Sequence, residues 1–239
     1  MANRYFDNSQ LAEAFHIASG DTKGVSHINK FGASNGDITA GTIWDGNAAA
    51  VTYPYPANSV VAITSDAADS GDDGKAVLVE GLDASFHAVS ETINVASTGS
   101  TVFSRIFRAR MVDANNDGDV SLTMGGTVAA KIIEDKAQTL MAVYTVPANK
   151  TGYLIKTQMG SDKASTNAAI KYTLMARDTD DGNVFQIKGI SYAAGGQNVT
   201  AEYPVPLRFE EKTDIRMDVV AASGGQTCSA TFDLILVDN

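Results

Sequence analysis

The sequence predicts an all-β protein: two β-sandwich, jelly-roll-like domains preceded by an extended N-terminal arm. Three observations carry this. From about Thr52 onward, apolar and polar residues alternate with period 2 in short runs. Gly-, Asp- and Asn-rich turns separate those runs at the spacing of a sandwich or barrel. No helical pattern of about 10–15 residues falls between the runs, which excludes a parallel βαβ fold.

Residues 1–50 read as the arm. A short helical pattern covers Ser9 to Phe15, with Ser9 placed to cap it. Ser19 to Gly46 is rich in Gly, Ser and Asn and has few periodic apolar positions. A structureless loop of about 30 residues is unusual inside a compact domain, so the segment is expected to order on a neighbouring subunit. Residues 51–136 form the first domain, with strands over 59–64, 76–83, 89–95, 102–112, 120–124 and 129–133. The second domain, 137–239, opens with a strand over 140–146, closed by the turn Pro147-Ala148-Asn149-Lys150. Strands follow over 151–159, 170–177, 184–190, 198–209, 214–220 and 230–237. Pro204 and Pro206 confine the 198–209 strand to a sheet edge or a break.

Composition narrows the function classes. Eighteen Lys and Arg against 28 Asp and Glu give a formal charge of -10. Such a chain is repelled by DNA and by anionic lipid, so no nucleic acid and no membrane is expected as partner. No run approaches the roughly 18 apolar residues of a membrane span, and the N-terminus has no apolar signal region. Charged residues total only 19%, and large protein–protein contacts are depleted in Lys and Glu. The single cysteine, Cys228, reads as a small buried residue of the last strand. With no Cys/His cluster, zinc is not expected.

The candidate sites are few. Asp113, Asn115 and Asp117 stand at positions 1, 3 and 5 of a loop with Gly118 at 6, the front half of a calcium loop. The closing Glu is missing, since Met124 takes its place. Calcium is therefore the one cofactor with any candidate ligands; otherwise none is expected. The carboxylate clusters Asp66, Asp69, Asp72, Asp73 and Asp178, Asp180, Asp181 read as solvated turn tips. Glycoside hydrolysis would need them beside a groove with aromatics. His16, His27 and His87 sit apart, without metal-ligand spacing. Arg105, Arg108 and Arg110 on one strand fit cross-strand or inter-subunit pairing. No G-x-S-x-G, P-loop or G-x-G-x-x-G is present, and no enzyme activity is expected.

One stretch resembles a known group. Val77 to Ile93 contains Gly81-Leu82-Asp83-Ala84-Ser85-Phe86 and then Ser90-Glu91-Thr92. It is followed by Arg105-Ile106-Phe107-Arg108-Ala109, and later by Gln138-Thr139-Leu140-Met141-Ala142-Val143-Tyr144-Thr145-Val146-Pro147-Ala148-Asn149-Lys150-Thr151. These runs resemble a pattern in virion structural proteins of tailed, often marine, bacteriophages. The resemblance spans roughly residues 60 to 160. It implies a virion protein, assembled in the host cytoplasm, with the major capsid protein or other virion proteins as partners. The expected role is capsid decoration or cementing, as a homo-oligomer such as a trimer. The alternative is a tail or fibre component that binds host glycans, with Tyr53, Tyr55, Tyr192 and Tyr203 as its candidate aromatics.

Overall fold

The computed structural model describes residues 10–48, 50–162, 169–178, 184–194, 196–221 and 225–239. Among these residues the chain is all-β apart from one helix, α1 (Gln10–Ala18), and one 3-10 turn (Ala68–Ser70). The strands are β1 (Val25–Ala33), β2 (Ala40–Thr42), β3 (Val61–Ser65), β4 (Ala76–Asp83), β5 (Ala88–Asn94), β6 (Ser97–Thr98), β7 (Phe103–Met111), β8 (Val120–Met124), β9 (Thr127–Ile132), β10 (Val143–Thr145), β11 (Lys150–Ser161), β12 (Ala169–Arg177), β13 (Gln186–Ala194), β14 (Val199–Phe209), β15 (Asp214–Ala221) and β16 (Cys228–Asp238). Every named pairing is antiparallel.

Among the described residues, four sheets enclose two hydrophobic cores. One sheet runs β1-β16-β11-β14, and a second runs β10-β15-β12-β13, with β2 also on β15. Alternation turns Leu154, Phe232, Leu234 and Leu236 of the first toward Tyr172, Leu174, Ile215, Met217 and Val219 of the second, and all are buried together. The other two sheets, β6-β3-β8-β9 and β5-β4-β7, share the second core. Val61, Ile63, Val120, Leu122 and Ile132 face Val77, Val79, Phe103, Ile106 and Ala109 there. In sequence, the β3–β9 unit lies between β2 and β10, which both pair with β15.

The expected arm is corrected by this pairing. Over its described residues from Val25, the segment belongs to the chain's own sheets. β1 pairs with β16 through nine consecutive positions, from Val25–Val237 to Ala33–Ser229. Ile38 and Ile43 are fully buried in the first core, and Trp44 lies in the second. The segment lacks apolar periodicity because Lys30 and Gly32 fill its buried positions while Phe31 points out. Gly32 is required there, since a Cβ would lie 2.2 Å from the Ala142 nitrogen and 2.7 Å from the Ile43 oxygen. The short helix forms as expected, although Ser9 lies outside the described residues. It ends as the Gly20 N–H donates to the Ile17 carbonyl, with Gly20 at φ +77.

β14 is a sheet edge, as its prolines demand, and Cys228 is buried in the last strand.

Candidate functional site: the seam between the two cores

The strongest cluster of chemistry-bearing side chains joins the β3–β9 unit to the sheets of the first core. Its centre is Asp214 at the start of β15, fully buried. Arg105 of β7 donates to both its oxygens, Nε to Oδ1 at 2.8 Å and Nη2 to Oδ2 at 3.0 Å. Arg177 of β12 donates to Oδ2 at 2.8 Å, and Thr145 Oγ1 to Oδ1 at 2.5 Å. A carboxylate with this many donors is held in one orientation. Aromatic faces cover the guanidiniums: Tyr55 lies 4.4 Å from Arg177 and 5.3 Å from Arg105, and Phe86 lies 5.3 Å from Arg105. Phe185 lies 3.9 Å from Arg216, which itself pairs with Asp218 at 2.9 Å.

A second group sits where the two connections between the units run side by side. The Leu140 N–H donates to Asp45 Oδ2 at 2.7 Å, and the Asp45 N–H donates to the Leu140 carbonyl at 3.0 Å. Asp45 Oδ1 is buried without a hydrogen-bond partner. Burial pushes the Asp45 carboxyl up to about 7 against the pull of the Leu140 N–H. Nearby, Lys30 of β1 donates Nζ to the Phe107 carbonyl. Burial, helped by the charge of Arg108, drags its ammonium down to about 7. Lys30 borders a cavity of about 400 Å³, which Glu80, Phe107, Arg108 and Tyr144 also line.

The residues that carry the virion resemblance build this seam. A Cβ on Gly81 would lie 2.0 Å from the Arg105 carbonyl oxygen, so the glycine lets β7 approach. Asp83 Oδ1 accepts from the Ser85 and His87 N–H groups and holds the turn. Phe86 at φ +64 aims its ring at Arg105, and its carbonyl accepts from the Ala148 N–H. Glu91 accepts from the Ser100 and Thr101 N–H groups. Phe107 stacks tilted on Tyr144 at 5.1 Å, and Thr139 Oγ1 accepts from the Ala109 N–H. Sequence reasoning treated these runs as strand and turn signatures. It missed Asp214, Lys30 and Asp45, whose neighbouring residues gave no motif signal, and it held Thr145 only as one position of a strand run.

The calcium-loop residues have other engagements. Asp113 and Asn115 are exposed, and Asn115 donates its amide to Asp135 at 3.0 Å. Lys75 Nζ sits between Asp72 at 2.9 Å and Asp117 at 2.6 Å, and also donates to the Asn115 carbonyl. An ammonium thus stands between a carboxylate of this loop and one of the 66–73 turn. Among the described residues, no group of three or more His, Cys, Asp or Glu is arranged to hold a metal. Asp72 is fully buried and accepts from Ser65, Lys75 and the Asp117 and Gly118 N–H groups. Burial raises its pKa, but the bonds from Ser65, Asp117 and Lys75 outweigh that and hold it at about 2. Asp66 accepts from the Asp119 N–H. Asp180 and Asp181 lie outside the described residues.

The histidines stay apart: His16 is near Asp21, His27 near Asp233 and His87 near Asp83. Arg108 faces Glu80 across the strands at 3.8 Å. Of the four tyrosines singled out for glycans, Tyr53 is buried, the Tyr55 hydroxyl is buried and Tyr203 is half-buried, while Tyr192 is 68% exposed. Among the described residues, no helix is long and apolar enough to cross a membrane.

No family model matches the chain, and no curated protein matches it. Among solved structures, T=1 particles derived from infectious bursal virus match at 11% identity, covering 91% of this chain and 70% of that one, with a TM-score of 0.28. The infectious bursal disease virus VP2 subviral particle matches at 10% identity, covering 90% and 72%, with a TM-score of 0.26. Likeness at that level carries no weight for the fold or the function of this chain.

Proposed function

We propose that the chain is a non-catalytic structural subunit of a virus particle, built as a jelly roll with a second β-sandwich inserted into it. The observation that carries this is the strand order. A jelly roll has eight strands in two Greek keys, and the fold recurs in viral capsid, lectin and cupin domains. With β2 and β10 counted as two halves of one strand, the first core has eight strands. Numbered in chain order, they give sheets of order 1-8-3-6 and 2-7-4-5. That order supports the jelly-roll reading. Fold alone does not assign function; the virion reading also draws on the resemblance over residues 60 to 160, whose motifs meet in the seam.

The proposed place on the particle is the shell, as a decoration or cement protein of a tailed phage. The charge of -10 fits a surface away from the genome. The mechanism is burial of surface across neighbouring shell subunits, at about 1,600 Å² per standard interface. Co-sedimentation of purified protein with expanded, undecorated capsids tests this. Saturable binding at fixed stoichiometry is expected, and absence of binding at micromolar concentration would overturn the decoration role.

A further inference from the structure

We infer that the open, β13 side of the outer face of the β10-β15-β12-β13 sheet is the surface by which a second copy of this chain binds head to tail, closing a cyclic homo-oligomer. The register defines the face. Ile170, Tyr172, Leu174 and Ala176 of β12 point into the core, as do Ile215, Met217 and Val219 of β15. The alternate positions therefore point outward. Three rows cross that outer face: Tyr192–Lys171–Val220, Ile190–Thr173–Asp218 and Ile187–Met175–Arg216. Thr173 and Arg216 are buried, the latter under Phe185, so the open part is the β13 column with the Lys171–Val220 row. Ile187, Ile190 and Tyr192 form one column on β13, 53%, 46% and 68% exposed, and Val220 is 52% exposed two strands away.

The edges on this flank are treated differently. β14, the edge of the facing sheet, breaks its ladder at Tyr203-Pro204-Val205-Pro206, four residues set against Ile155 alone. Its prolines remove donors and guard it against strand addition. β13 is nine residues long, ends its sheet, and has no proline and one charge, Lys188. Long apolar edges are normally blunted in a protein that works alone.

Area and charge identify the occupant. The four side chains offer roughly 400 Å² of apolar surface. A stable interface needs about 800 Å² per partner, of which about 57–65% is apolar, or about 500 Å². The face therefore carries close to the apolar share of one standard interface. Its charge outside the Arg216–Asp218 pair is Lys171, whereas the chain as a whole carries -10. A two-fold contact centred on that row would set Lys171 against its own copy. A head-to-tail contact sets it against the acidic surface of the next copy, and such contacts close into rings.

This rests on reading the chain as an assembly subunit, and two measurements keep the ideas separable. The first is mass photometry and sedimentation velocity of the wild type, Ile190→Asp, Tyr192→Asp and the control Val205→Asp. The expected wild-type mass is an integral multiple of 25.1 kDa. Both face variants should fall to that mass with unchanged circular dichroism, and the control should stay assembled. A wild type that sediments as a monomer at the highest concentration tested, or face variants that remain assembled, would overturn the inference. The second is capsid co-sedimentation. A monomer that binds capsids sinks the inference and spares the virion role. An assembly dissolved by Ile190→Asp that ignores capsids does the reverse.

Discussion

Replacing Asp214 by Asn keeps the shape of the side chain and removes the one anion between two guanidiniums. The Asp214 side chain is 0% exposed, and those of Arg105 and Arg177 are 12% and 14% exposed. Removing one partner of a buried pair costs about 3–5 kcal/mol, because the remaining charge stays desolvated. The faces of Tyr55 and Phe86 still shelter the cations, which keeps the loss within that range rather than doubling it. For a chain of this size each kcal/mol moves the melting midpoint by about 2–4 °C, so a drop of about 6–20 °C follows. Arg105 and Asp214 stand 109 residues apart, on strands of different cores. Loss of the bond should therefore also split a single unfolding transition into two. Urea unfolding followed by far-ultraviolet circular dichroism and by Trp44 fluorescence reads both effects. A loss below about 1 kcal/mol with one coincident transition would refute the idea that Asp214 locks the seam. A double-mutant cycle with Arg105→Met should return a coupling of at least about 1 kcal/mol.

Three further outcomes are expected. The seam pair gives stability a minimum near pH 7. Asp45 is raised when folded, so its contribution is full below about pH 4 and lost as pH rises through about 7; Lys30 is lowered, so its contribution is full above about pH 10.5 and lost as pH falls through about 7. Asp45→Asn should flatten the acid limb and Lys30→Met the alkaline limb in urea midpoints taken from pH 5 to 9; unchanged limbs would reject the assignment. At the acidic loop, calcium would have to displace the Lys75 ammonium from Asp117. Millimolar Ca²⁺ should leave the wild-type melting temperature in place and raise that of Lys75→Met, and a calcium-raised wild type would contradict the ammonium's role. Gly32→Ala forces a Cβ into the Ala142 and Ile43 backbone, and overpacking of this kind costs about 1–3 kcal/mol or more; a neutral result by thermal melting would show that the two connections can give way.

Most strands were legible because their period-2 alternation coincides with one buried face. The sequence places strands over 76–83, 120–124 and 214–220, and the structure has β4 at 76–83, β8 at 120–124 and β15 at 214–221. β1 was hidden for a physical reason. Its inward positions carry a lysine that reaches a carbonyl and a glycine that lets two connections pass. β2 is three residues long, too short to show any period. The seam was illegible because its partners are far apart in sequence. Asp214 reads as an ordinary strand start, and nothing local reveals that Arg105 reaches it.

That gap also explains how motifs without chemistry can be specific. A hairpin turn needs only residues that tolerate its dihedrals, and many sequences satisfy that. The 81–86 turn must do more. Gly81 has to admit the Arg105 carbonyl, Asp83 has to hold two N–H groups, and Phe86 has to cover a guanidinium while its carbonyl takes the Ala148 N–H. Each demand comes from the joint, and together they fix residue identity where the strand itself would accept many. The same holds for Phe107, which meets Tyr144 on one side and Lys30 through its carbonyl. What these runs specify is therefore how one β unit is seated on another. A buried bidentate Arg–Asp pair sheltered by aromatic rings gives that seating directional bonds that a purely apolar seam would lack.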